Sequence, residues 1–212
     1  MDAVKVLVFG STGRTGRHLV AQALEQGHDV TAVARDPRKL EMRHDKLRLV
    51  RGDVLDPTSV ESAVRGQDAL LSALGAGPGQ PKTVFSDGMR TILRMMETRG
   101  VSRIVCVSAA GVLHENAGSL LGNVLLGLFR PALRGVYEGH RWQLEAIRES
   151  SLEWVAVRPV LLTNGPRTGK YRVVLEGIPK KGYWISRADV ADFMLKQLTR
   201  DGYVRRLPAI AY

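Results

Sequence analysis

The stretch "VLVFGSTGRTGRHLV", residues 6–20, limits the possible folds more than any other part of the chain. A short run that is apolar on both faces stops at Gly10, and Gly13 and Gly16 follow before Leu19, Val20, Ala23 and Leu24 set up an apolar stripe at helical spacing. A buried strand feeding a helix through three glycines gives a tight turn and a backbone bare enough for a ligand to approach. It also leaves the first helical N–H groups unpaired, with the positive end of the helix dipole facing outward. Such a turn suits an anion, and between strand and helix the expected anion is a dinucleotide diphosphate.

The rest of the chain repeats the alternation. Strands are predicted over 4–10, 29–35, 47–53, 69–75, 102–109 and 153–159, with helical patterns between them; Phe85, Met89, Ile92 and Met96 form a second apolar stripe. Asp56-Pro57 suits a helix start, Gly27 and Gly100 suit helix ends, and Ser186 three residues before Asp189 suits a capping arrangement that makes Asp189 structural. The pattern predicts an α/β, doubly wound parallel sheet in one domain spanning 1–212. It lapses at 111–136 and at 160–185. Both stretches follow strands in the second half, so 112–136 and 160–185 are expected to cover a substrate at the carboxyl ends of the strands.

Composition narrows the setting. The single cysteine, Cys106, lies in an apolar run and permits no internal disulfide. Met1 leads within three residues into the first strand, and no segment is long and apolar enough to span a bilayer, so a cytoplasmic chain without a membrane span is expected. The formal charge is +10, but the basic residues are scattered and match no nucleic-acid motif, so nucleic acid is not an expected partner. Five histidines show no metal-ligand spacing, which predicts no metal. "GPRTGK" at 165–170 has the wrong length for a P-loop and lacks its closing hydroxyl residue.

The second strand ends at Arg35, nineteen residues beyond Gly16. An acid there would bind a ribose 2′-hydroxyl, whereas arginine suits a 2′-phosphate, so the expected cofactor is NADPH; Arg14 and Arg38 or Lys39 could complete the clamp or be solvated surface charges. Asp36, one position late for the acid's role, is read as a cap for the next turn. Asp53 and Val54, after strand three, are placed for the adenine. Leu74, Gly75 and Ala76, where strand four ends, would let the backbone approach the cofactor; both sets could also be ordinary strand ends.

The longer glycine spacing, Gly-x-x-Gly-x-x-Gly, resembles atypical or extended short-chain dehydrogenase/reductases. "GDVLDPTSVESAVRGQDALLSALG", "AIRESSLEWVAVRP", "TGKY" and "ISRADVADFML" further resemble the NADPH flavin reductase (biliverdin reductase B) group of NAD(P)H-binding proteins, over nearly the whole chain except 112–136. The resemblance implies a Rossmann-type fold, a cofactor shell of Gly10, Thr12, Gly13, Arg14, Thr15, Arg35, Asp53, Val54, Leu74 and Gly75, an active-site hydroxyl near Ser108, and a pocket histidine at His140. Two positions depart from the pattern. Ser108-Ala109 brings the hydroxyl one position early, and Leu161 stands where a second pocket histidine belongs.

Tyr137 and Arg141, four apart on a predicted helix, could join Ser108 in a short-chain-dehydrogenase-like triad, although arginine cannot relay a proton as lysine does. The alternative is a surface aromatic beside a solvated arginine. Flavin or other conjugated acceptors need only orientation over the nicotinamide and a proton from water. Leu113, Leu120, Leu121, Val124, Leu125, Leu128 and Phe129, with Trp142, could roof a planar acceptor, form a packed subdomain or make an oligomer contact. The expectation is a monomeric NADPH-dependent reductase of a planar small molecule: a flavin, or a tetrapyrrole or quinone. The rival is a non-catalytic NADPH-sensing regulator of NmrA-like type.

Overall fold

The computed structural model describes residues 3–75, 84–113 and 120–212, with only the backbone described for 120–133. Ala76 and the apolar side chains from Leu120 to Phe129 therefore lie outside the described residues.

The first half runs β1 (Lys5–Phe9), α1 (Arg14–Glu25), β2 (Asp29–Ala34), β3 (Leu47–Arg51), α2 (Pro57–Val64), β4 (Ala69–Ser72) and α3 (Asp87–Arg99). The second runs β5 (Arg103–Val107), α4 (Leu120–Glu149), β6 (Glu153–Pro159), β7 (Leu161–Thr163), β8 (Arg172–Val174), β9 (Trp184–Ser186), α5 (Arg187–Lys196) and β10 (Ala209–Ala211). The main sheet has the order β3-β2-β1-β4-β5-β6-β10-β8. Its pairings are parallel except at the β8 edge, which runs antiparallel to β10. This mostly parallel sheet, flanked by helices, is a Rossmann-like α/β fold.

Alternation along β1 explains the layering. Val6 and Val8 face a core shared with Leu19, Val20 and Ala23 of α1 and Val190 and Met194 of α5, while Leu7 and Phe9 face one shared with α2, α3 and the end of α4. Covered on both faces, β1 is apolar at every buried position, as a strand inside a parallel sheet must be.

The helix boundaries follow side-chain chemistry. Asp56 accepts hydrogen bonds from the amides of Thr58 and Ser59, and Pro57 fills the first helical position of α2. Gly100 ends α3 in the left-handed conformation. The Ser186 hydroxyl accepts from the Asp189 amide at the start of α5. The buried Asp189 carboxylate in turn accepts from Thr168, Gly169 and the Tyr212 hydroxyl, which makes it a structural clasp as the sequence indicates.

Two stretches differ from the sequence reading. From Leu120 onward the first lapse is helical, continuous with the helix predicted around Tyr137, so α4 runs for 30 residues. Gly122, Gly127 and Pro131 mask its periodicity, because glycine and proline are poor helix formers. In the second lapse, β7 pairs with β9 in a small sheet and β8 joins the edge of the main one. Strands of three residues are too short to show a period.

Candidate functional site

A strand order that turns outward from β1 in one direction and β4 in the other opens a crevice between their carboxyl ends. A cavity of about 630 Å³ occupies that crevice. The glycine turn forms one wall. Gly10 has φ +73°, and a β-carbon there would collide with the carbonyl of Ala73 after β4; one on Gly16 would collide with the carbonyl of Gly10. Gly13, the residue before α1, makes no side-chain cap and donates its amide to the Gly10 carbonyl. The turn thus brings bare backbone and the start of α1 to the cavity, where Thr12, Gly13, Arg14 and Thr15 line it. Gly16 does not line it; its role is the close approach of helix to turn.

Arg35, Asp53, Val54, Leu74 and Gly75 of the expected shell also line the cavity. Arg35 is exposed and makes no ion pair among the described residues. Asp36 serves the turn instead: its carboxylate accepts from the Arg38 amide and pairs with the Arg38 guanidinium at 2.9 Å. The Arg38 side chain holds Asp36 below the usual carboxylate range. Arg38 is committed there and does not line the cavity. The Asp53 carboxylate accepts from the Leu55 amide, fixing the turn after β3.

Arg187, which sequence reasoning missed, also lines the cavity. It opens α5 directly after the Ser186 cap and donates to the Asn164 side chain at 2.7 Å. Burial, and then repulsion from Arg14, lower its affinity for its proton; burial, and then Arg187, do the same to His18 in the first turns of α1. Neither Arg14 nor Arg187 has a carboxylate partner among the described residues. Two unneutralised guanidinium groups beside a helix N-terminus make this wall strongly attractive to an anion. The only sequence signal was an arginine right after a helix cap, which specifies nothing until the packing of α5 against α1 is known.

The far end of the cavity is lined by Ser108, Ala109, Val136, His140, Pro159, Val160 and Leu162. Both expected covering segments contribute here, through Val136 and through Val160 with Leu162. Ser108 is buried, and its hydroxyl has no hydrogen-bond partner among the described residues. His140 is also buried, edge-on to Phe85 with 4.7 Å between ring centres, and its Nδ1 lies 3.0 Å from Gln143 Oε1. Burial pulls the imidazole pKa down to about 4, with the Gln143 contact opposing.

Tyr137 and Arg141 do not join this group. Tyr137 packs its hydroxyl over Gly111, and Arg141 is exposed; neither lines the cavity. The reason is helical phase: four residues apart they share a face of α4, but the face meeting the cavity carries Val136 and His140. Trp142 and Leu113 are partly exposed and lie outside the lining as well.

The site meets the demands of a nicotinamide dinucleotide: a cradle that a β-carbon would fill, the Arg14 and Arg187 guanidinium groups beside a helix start with no carboxylate partner among the described residues, and a buried far-end hydroxyl with no hydrogen-bond partner among them. Fold and site together define a Rossmann-type dinucleotide-binding protein. The NAD(P)H-binding family matches residues 10–201, and the chain belongs to it. An uncharacterised chloroplastic protein of Arabidopsis thaliana is 31% identical over 208 residues, covering 93% of this chain and 72% of that one. Among solved structures, a wide-type short-chain dehydrogenase/reductase from Veillonella parvula in complex with NADP has a TM-score of 0.81 at 20% identity, covering 100% of this chain and 95% of that one. ChuY, an anaerobillin reductase from Escherichia coli O157:H7, has a TM-score of 0.81 at 21% identity, covering 98% and 96%. At these identities the two structures establish a shared fold. No helix among the described residues is long and apolar enough to cross a membrane.

Proposed function

We propose that this chain is an NADPH-dependent reductase that passes hydride to a planar conjugated acceptor, a flavin or a tetrapyrrole. The observation carrying this reading is the make-up of the cavity's far end, where the described lining residues include no acid. Among the described lining residues the polar groups there are a serine hydroxyl and a histidine that stays neutral above about pH 4, while Tyr137 and Arg141 point elsewhere. A ketone needs a proton delivered as hydride arrives. A conjugated ring spreads the added charge and takes its proton from water, so positioning supplies most of the catalysis.

Bound NADPH supplies the hydride. The chain's part is to hold the diphosphate on the glycine turn, to meet the 2′-phosphate with Arg35, and to keep water from the apolar wall of Val136, Val160 and Leu162. Arg35 supports NADPH over NADH because it makes no ion pair among the described residues, while the adjacent acid, Asp36, is engaged by Arg38. The likeness in fold to an anaerobillin reductase supports a tetrapyrrole as one member of the acceptor class.

The test is oxidation of NADPH and NADH with FMN, FAD, biliverdin and a quinone. Turnover with a flavin or biliverdin, and a kcat/KM for NADPH at least tenfold above that for NADH, is expected. Arg35→Asp should lower kcat/KM for NADPH roughly ten- to a hundredfold, the scale of about 1.5–3 kcal/mol for hydrogen bonds to a charged group. The missing acid equally favours a second reading, a dinucleotide sensor that regulates a partner. Tight NADPH binding with no consumption across the panel would select it.

A further inference from the structure

Three groups at the end of β5 fix the hydrogen-bonding polarity of the cavity's far end. The Gln143 side-chain amide donates from Nε2 to the Val107 carbonyl at 3.1 Å. A carbonyl only accepts, so the amide cannot be turned around, and its Oε1 must face His140 Nδ1, 3.0 Å away. That oxygen also only accepts. The proton of the neutral imidazole therefore sits on Nδ1, and Nε2 keeps a bare lone pair. His140 lines the cavity with its Nδ1 edge committed to Gln143, so Nε2 is the one polar atom it has left for a ligand. Ser108 lines the same cavity; its amide is spent on the Val157 carbonyl at 2.7 Å, while its buried hydroxyl has no hydrogen-bond partner among the described residues.

We propose that Ser108 and His140 read an amide edge: the Ser108 hydroxyl donates to a carbonyl oxygen, and His140 Nε2 accepts from the adjacent N–H. Gln143 is the positioning residue that sets the tautomer. The chemistry is that of an imide or lactam on the acceptor ring, or of the nicotinamide carboxamide, and it disfavours quinones, which carry carbonyls but no N–H. The ligand's identity rests on the reductase reading, whereas the polarity of the site does not. Burying an N–H against a bare nitrogen satisfies both groups, while a methyl in its place leaves a buried acceptor unpaired.

Two probe pairs separate the sources. Lumiflavin and 3-methyllumiflavin differ by the imide N–H; NADP⁺ and its 3-acetylpyridine analogue differ by the carboxamide NH₂. Their dissociation constants for the whole chain, with NADP⁺ present for the flavins, are expected to favour the N–H member of one pair roughly five- to a hundredfold. Preference within the flavin pair assigns the edge to the acceptor, and within the dinucleotide pair to the carboxamide. His140→Phe should bring the preference close to one. Gln143→Glu, which favours a proton on both ring nitrogens, should do the same while His140 remains. Nitrogen-15 spectra of the ligand-free protein should show His140 protonated at Nδ1 and bare at Nε2 at neutral pH. A proton on Nε2, equal binding within both pairs, or a preference that survives in His140→Phe would overturn the assignment. Failure of both flavins to bind would count against flavin as the reductase substrate, leaving the dinucleotide pair and the nitrogen spectrum to decide this inference.

Discussion

A buried histidine held neutral leaves a thermodynamic signature as well as a chemical one. His140 has a folded-state pKa of about 4 against an ordinary 6.5, because burial disfavours the imidazolium. Below pH 6.5 the unfolded chain takes up a proton that the folded chain refuses, so stability falls as the medium becomes more acidic. Between pH 7 and pH 4 the loss from this residue is on the order of 2–3 kcal/mol. His18 and His28, also shifted downward by burial first, add losses of the same sign. Urea denaturation across that range should show the decline, and His140→Gln, which cannot titrate, should flatten part of it; an unchanged slope would mean that His140 charges freely in the fold. Such behaviour is hard to see in the sequence. Gly13 and Gly16 are legible because the Gly10 carbonyl that excludes a side chain from them lies within the same turn, whereas the state of His140 depends on a carbonyl thirty-six residues from Gln143.

The same divide separates the elements. Six predicted strands agree with β1 to β6 to within two or three residues at each end, since a short apolar-rich run and a glycine or capping residue at each helix boundary are local signals, even for the largely exposed edge strand β3. Helix α4 and the short strands β7 to β10 are less legible, one because glycine and proline interrupt its period, the others because their partners are distant in sequence. α5 is readable as a helix, yet its contribution to the site is not. It packs against α1, and that contact is what carries Arg187 to the cavity opposite Arg14. If the two arginines hold the diphosphate, common to both dinucleotides, Arg187→Met should weaken NADPH and NADH by the same factor, roughly tenfold for a charged hydrogen bond. Arg35→Asp should weaken NADPH without weakening NADH. Calorimetric titration of both ligands against both variants makes the distinction. An Arg187 effect confined to the acceptor's KM would move this arginine from dinucleotide to substrate.

At the scale of the whole molecule, the sheet order concentrates a dispersed charge. The chain carries a formal +10, with basic residues spread along its length, and the β1–β4 crevice gathers Arg14, Arg35 and Arg187 at one cavity with a helix N-terminus among them. A positive crevice with low-dielectric walls focuses its field outward and draws anions in before contact, which raises association rates more than it slows release. Ionic strength is the test, because the Debye length shrinks from about 30 Å at 0.01 M to about 10 Å at 0.1 M. The association rate of NADPH, measured by stopped flow, should therefore fall several-fold over that range while dissociation changes little. NADH lacks the 2′-phosphate and should lose less, and Arg35→Asp should bring the two salt dependences together. If NADPH and NADH respond equally to salt in the native chain, the extra phosphate is not being guided to the end of β2, and the basic surface has no part in selecting the cofactor.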